Sequence, residues 1–109
     1  MAEPTLQQVF GVNASQDPTT ITLAKADLVG LTASSNNTAE SILAAIVLTA
    51  ADNLTEENRA ADASGDRQCV IVDAGDQLFN DGVSDFQIRS FALQFFKAYA
   101  LTSFDPDDY

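Results

Sequence analysis

Asp73, Asp76, Asn80, Asp81 and Asp85 crowd a short stretch of the chain, and oxygen donors in that density are the chemistry of a hard-cation site. Calcium takes carboxylate and amide oxygens at about 2.3–2.6 Å. The spacing does not fit an EF-hand loop, because Asp73-x-x-Asp76 lacks ligands at alternate positions. Asp and Asn are also the residues that tight turns require, and the sequence is read that way here, with no metal site. Paired carboxylates could serve as acid and base on a glycoside. With 16 acidic residues in a chain of 109, however, close pairs arise from abundance alone.

Other catalytic kits are missing. There is no histidine, so neither a Ser–His nor a Cys–His pair of the usual kind can form. The single Cys69 sits in the apolar run Gln68-Cys69-Val70-Ile71-Val72, where a free cysteine behaves as a small buried hydrophobe. No neighbouring Lys is present in sequence to lower its pKa. The glycines are scattered singly and match no phosphate-cradling loop. The expectation is a protein that is not an enzyme and that uses no catalytic residue, cofactor or metal.

Charge narrows the partners. The formal net charge is -11, which repels nucleic-acid phosphate and anionic membrane over about a Debye length. Arg59, Arg67, Arg89 and Lys97 are too dispersed for a nucleic-acid stripe. A soluble acidic binding or inhibitor module, with regularly spaced carboxylates mimicking DNA toward a basic protein, is the alternative. The acids concentrate in expected loops and at the tail rather than on one face. Met1-Ala2-Glu3-Pro4 has no positively charged leader character, and the apolar run Ile42 to Leu48 is far short of the roughly 20 residues of a bilayer span. Neither direct nucleic-acid binding nor membrane insertion is expected.

The elements that would carry any surface can be read from spacing. Pro4 to Gly11 suits a short helix, with Leu6, Val9 and Phe10 on one side. It either docks on the core or reaches a neighbouring subunit as an arm. Thr19 to Leu23 is a β-branched run with strand alternation. The main helix is predicted from about 38 to about 52, with an extension toward 60 open. Asn37 and Glu40 form its expected capping box, and Ile42, Leu43, Ile46, Val47, Ala50 and Leu54 form one apolar face.

In the aromatic last third, Gln68 to Phe79 reads as a strand interrupted at Asp73–Asp76. Asn80-Asp81-Gly82 reads as a tight turn. Phe86 to Tyr99 is then the returning arm. A helical reading competes, because Ile88, Phe91, Ala92, Phe95, Phe96 and Tyr99 also share a helical face. The preceding turn and the aromatic content favour the strand. As a strand it is apolar on both faces, which demands cover from the helix on one side and leaves the other for a neighbouring chain.

The stretches Thr19–Leu28, Asn37–Leu43, Leu54–Asn58 and Asp105-Pro106-Asp107-Asp108-Tyr109 taken in order resemble small virion structural proteins of tailed bacteriophages, particularly of cyanobacterial hosts. The resemblance implies a part made in the host cytoplasm and built into the particle at the tail, baseplate, neck or capsid surface. It also implies a symmetric multimer contacting copies of itself and other virion proteins. It brings no site motif with it.

The expected architecture is a single α+β domain over 1–109, with one main helix on a small antiparallel sheet and a long C-terminal hairpin over 68–99. Residues 1–18 form the arm or short helix, 19–103 the core and 104–109 an acidic tail. Aromatic side chains are enriched at interfaces. The candidate contact residues are therefore Phe91, Phe95 and Tyr99 on one strand face, with Leu6 and Phe10 from the N-terminal segment.

Overall fold

Thr5 starts the first helix, α1 (Leu6–Phe10). Its hydroxyl accepts the Gln8 amide at 3.1 Å, and the Gln8 side chain accepts the Thr5 amide at 2.9 Å, a reciprocal capping box. Gly11 ends the helix at φ 111°, and a Cβ there would meet the Asp27 Cβ at 2.5 Å, so both the turn and the close approach require glycine. The computed structural model describes residues 3–62, 64–65, 67–98 and 103–109.

Two short strands follow, β1 (Ser15–Gln16) and β2 (Ile21–Thr22), paired antiparallel. The strand expected over Thr19–Leu23 is shorter because Asp17 captures its start. The Asp17 carboxylate accepts the amides of Thr19 and Thr20, both at 2.9 Å, and the Thr20 hydroxyl at 2.7 Å. These bonds hold the Asp17 pKa down to about 2, with the Thr20 hydroxyl the largest cause.

The main helix, α2, spans Ala39–Ala51. Its N-cap is Thr38, whose hydroxyl accepts the Ser41 amide at 3.0 Å, and not the expected Asn37–Glu40 pair. Asn37 instead braces the preceding loop, accepting from the Ser34 amide and donating to the Thr32 carbonyl. Ala45, Thr49 and Ala50 are buried, while Leu43, expected on the apolar face, is exposed. Thr49 donates to the Ala45 carbonyl at 2.7 Å and accepts the Val29 amide at 2.8 Å, which ties the loop carrying buried Leu28 to the helix.

The open extension toward 60 is a separate helix, α3 (Glu56–Ala61). Thr55 caps it by accepting the Asn58 amide, and Asn58 donates back to the Asn53 carbonyl at 2.7 Å, so the chain turns between the two helices.

The C-terminal sheet is the expected hairpin: β3 (Cys69–Asn80) antiparallel to β4 (Asp85–Phe95). The strand reading of the aromatic segment holds and the helical one does not. β3 is continuous where an interruption was expected, because the irregular Asp73–Gly75 segment is a β-bulge. The returning arm stops at Phe95, short of the expected Tyr99. The architecture is α+β, with α2 against one face of the hairpin base. Ala50, Leu54 and Ile71 form the core there, with Val9, Val47, Cys69 and Phe91 packed around them. Val9 thus docks α1 on the core, as one of the two readings of the N-terminal segment predicts.

Candidate assembly surface

Strand alternation and the observed register assign every hairpin residue to a face. The face toward α2 carries Cys69, Ile71 and Asp73 opposite Phe95, Leu93 and Phe91. Beyond the bulge it carries Asp76, Leu78 and Asn80 opposite Arg89, Gln87 and Asp85. The other face carries Val70, Val72, Gly75, Gln77 and Phe79 opposite Gln94, Ala92, Ser90, Ile88 and Phe86. Every charged residue of the two strands lies on the first face. The second has none.

The bulge creates this separation. Strict alternation from Val70 would put Asp76 beside Val70 and Val72. The extra residue at Ala74, followed by Gly75 at φ 81°, moves Asp76 to the face that holds Asp73. Arg89 pairs with both carboxylates there, in direct contact with Asp73 and at 3.2 Å from Asp76, and its guanidinium lies 5.7 Å from the Phe91 ring. The Asp73 carboxyl is held below its ordinary range by Arg89 first and the Gly75 amide second, while the Arg89 guanidinium is pushed up.

The two faces also differ in cover. On the α2 side, Ile71 is buried and Phe91 half-buried, while Leu93, Phe95 and, beyond the charges, Leu78 are exposed. On the uncharged side only Val70, nearest the body, is buried. Val72, Phe79, Phe86 and Ile88 are exposed, with Phe79 at 47% and Phe86 at 48%. Those two rings pair across the strands at 6.4 Å between centroids.

The candidate carboxylate cluster is dispersed into turn chemistry. Asp81 accepts the Val83 and Ser84 amides, both at 2.8 Å, which lowers its pKa. Asn80 donates to Asp85 at 2.6 Å and accepts the Gly82 amide. Among the described residues no group of three or more metal-ligating side chains could hold an ion, and no helix is long and apolar enough to cross a membrane. Cys69 is half-buried, and burial, then Glu3, pushes its thiol pKa up, consistent with a packed thiol.

Of the candidate contact residues, Leu6, Phe10 and Phe95 line one apolar groove of about 670 Å³ between α1, α2, the hairpin base and Tyr109. Phe95 also meets Phe104 and Tyr109 at 5.5 and 5.3 Å, and Lys97 holds Asp108 at 2.8 Å, so the acidic tail is fastened to the end of β4. Phe91 packs on the core side and borders a second groove with Leu48 and Leu93. Tyr99 lies outside the described residues.

No family model, curated protein or solved structure matches this chain. A polar hollow of about 600 Å³ gathers Arg59, Arg67 and Lys97. Arg59 pairs with Glu56 and stacks over Phe96 at 4.4 Å, and Lys97 pairs with Asp108. Buried Arg67 donates to the Asn53 side chain at 2.6 Å, and its backbone amide donates to Asp62 at 2.7 Å. The Ser64 hydroxyl above all, with the Arg67 and Ser64 amides, holds the Asp62 carboxyl well below the usual range. Among the described residues Glu56 and Asp108 pair with Arg59 and Lys97, while the Arg67 guanidinium is held by the Asn53 side chain.

Sequence reasoning missed Phe79, Phe86 and Ile88 as a surface. That they join Val70 and Val72 on one face depends on the bulge, and the only trace of it in the sequence is the Asp-Ala-Gly-Asp run.

Proposed function

We propose that this chain is a structural subunit of a tailed-phage particle that works by protein–protein contact and performs no chemistry of its own. One observation carries the assembly part of the reading. The chain exposes 7730 Å², whereas a compact monomer of its mass exposes about 5,800 Å². Its radius of gyration is 16.4 Å, against about 13 Å for a compact domain of this length. Part of that surface is the hairpin, which among the described residues is a two-stranded sheet with Val72, Leu78, Phe79, Phe86 and Leu93 facing water. The helix α2 supports the base of this pair, and the part beyond the helix has no such cover.

The particle as the place of assembly rests on the resemblance of Thr19–Leu28, Asn37–Leu43, Leu54–Asn58 and the Asp105–Tyr109 ending to small virion proteins. In that setting the partners are copies of this chain and other virion proteins at the tail, baseplate, neck or capsid surface. The net charge of -11 keeps the unassembled subunit soluble despite its apolar surface. The test is quantitative mass spectrometry of purified particles. The expected result is this chain at a stoichiometry of several copies per particle. Its confinement to the lysate, with none in the particles, overturns the reading.

A further inference from the structure

We infer that the uncharged face of the β3–β4 hairpin is where two copies of this chain meet, face to face across a two-fold axis. The inference rests on the assembly reading above and deepens it by naming the surface and its occupant.

Three observations point to a second copy. The first is charge. Each copy carries -11, so two copies approaching through most of their surface bring like charges together in a medium of falling dielectric. From Val70 to Phe79 and from Phe86 to Gln94, the exposed hairpin face has no ionised group. A second copy can dock there without burying a charge. A basic partner would gain nothing from that face and would be drawn to the opposite one, where Asp73, Asp76 and Asp85 lie.

The second is extent. The patch runs the length of the hairpin, nine steps of about 3.3 Å from Val70 to Phe79, and its Val72, Phe79, Phe86 and Ile88 side chains are 36–48% exposed. The third is geometry. A self-complementary contact presents the same patch from both partners. Two hairpins stacked at about 10 Å would convert two strand pairs, each packed on α2 by one face only, into a four-stranded sandwich. Val72, Phe79, Phe86 and Ile88 would then interdigitate around the small residues Gly75, Ser90 and Ala92. The bulge at Ala74 fits the same purpose, since it removes Asp76 from the contact.

The test is a matched pair of substitutions, each adding one negative charge to an exposed glutamine. Gln77→Glu lies on the uncharged face and Gln87→Glu on the other. Sedimentation equilibrium of the full chain reads the dimer constant, and circular dichroism checks the fold. Gln77→Glu is expected to weaken dimerisation by about 30-fold or more, because the symmetric contact buries two uncompensated carboxylates. Gln87→Glu should change it by less than about threefold, the general cost of one more like charge.

If Gln77→Glu fails to fold, an interchain disulfide gives a second measure in a Cys69→Ser background. Ser90→Cys is expected to cross-link on oxidation and Gln87→Cys is not. Equal weakening by the two glutamates, cross-linking through Gln87, or a wild-type chain monomeric at 100 μM would each overturn the inference. A monomeric chain found in purified particles would do so while leaving the assembly reading standing.

Discussion

On the α2 side of the hairpin, charge breaks the apolar run where the helix stops, and a single exposed Leu78 stands beyond it. Ile71 and Phe91 are packed, and immediately beyond them Asp73, Asp76 and Arg89 neutralise one another in water. On the other side the apolar residues continue outward from the body, through Val72 and Ile88 to Phe79 and Phe86, with no charge to end the run. A face that ends in solvent is normally given charged residues, which keep strands from adhering to other chains. One hairpin face follows that practice and its reverse does not. The difference is informative because both faces belong to the same two strands, so backbone and register are shared and only the side chains at alternate positions differ.

The sharpest way to break it uses one residue type on each face. Ile71→Ala removes a buried side chain from the Ala50–Leu54 cluster and should cost about 3 kcal/mol in urea unfolding at any protein concentration. Ile88→Ala should cost about 1 kcal/mol or less in dilute solution, where its face is open. Its cost should grow with protein concentration, since association stabilises only the folded state. A cost for Ile88→Ala that is large and independent of concentration would mean that the monomer itself covers this face.

Gly75→Ala tests the device that separates the faces. Gly75 has φ 81° and nothing within 4 Å of an added Cβ, so the penalty is conformational rather than a clash. It should be about 1–2 kcal/mol of stability. A crystal or NMR structure of the variant should show the bulge shifted or widened.

Much of this arrangement was readable in advance. The hairpin, its turn at Asn80–Gly82 and the main helix follow from alternation, turn residues and apolar periodicity, all local signals. The presence of apolar side chains on both strand faces was also legible, from the content of Phe86 to Phe96. The boundaries were less so. Asn37 and Thr38 are equally good caps by type, and only the loop's demand for the Asn37 side chain at Ser34 and Thr32 decides between them. Thr19–Leu23 has strand propensity, yet one carboxylate at Asp17 diverts its first amides. The faces of β3 could not be assigned, because a single extra residue exchanges them. The aromatic residues singled out from the sequence, Phe91 and Phe95, alternate on one face of β4 whatever β3 does, and α2 partly covers that face.

Acid should distinguish the charged face from the rest. The Asp73 carboxyl is depressed by Arg89, so it adds stability above its ordinary pKa of about 3.9. That contribution is lost as pH falls through the lower folded value. Replacing Arg89 by Met should make the acid limb of the stability curve shallower below about pH 4. In the same titration Asp17→Asn removes a separate contribution, lost as pH falls through about 2, that owes nothing to Arg89. The two effects should be additive, because they share no hydrogen-bond partner. A marked departure from additivity would mean that the hairpin and the Asp17 turn unfold as one coupled unit.

Salt should produce the smallest change and the one whose sign is most telling. Between about 50 and 500 mM NaCl the Debye length shrinks from roughly 14 Å to 4 Å. The exposed pairing of Arg89 with Asp73 and Asp76 weakens over that range, so the hairpin of a dilute monomer should lose a little protection in amide exchange. Repulsion between two copies at -11 weakens as well, and the uncharged face has no ion pair to lose, so dimerisation should tighten several-fold. One reagent then loosens the charged face and strengthens contact through the uncharged one. If salt instead dissociates the dimer, ion pairs hold it together, and the contact must lie on the side of the hairpin that carries Arg89.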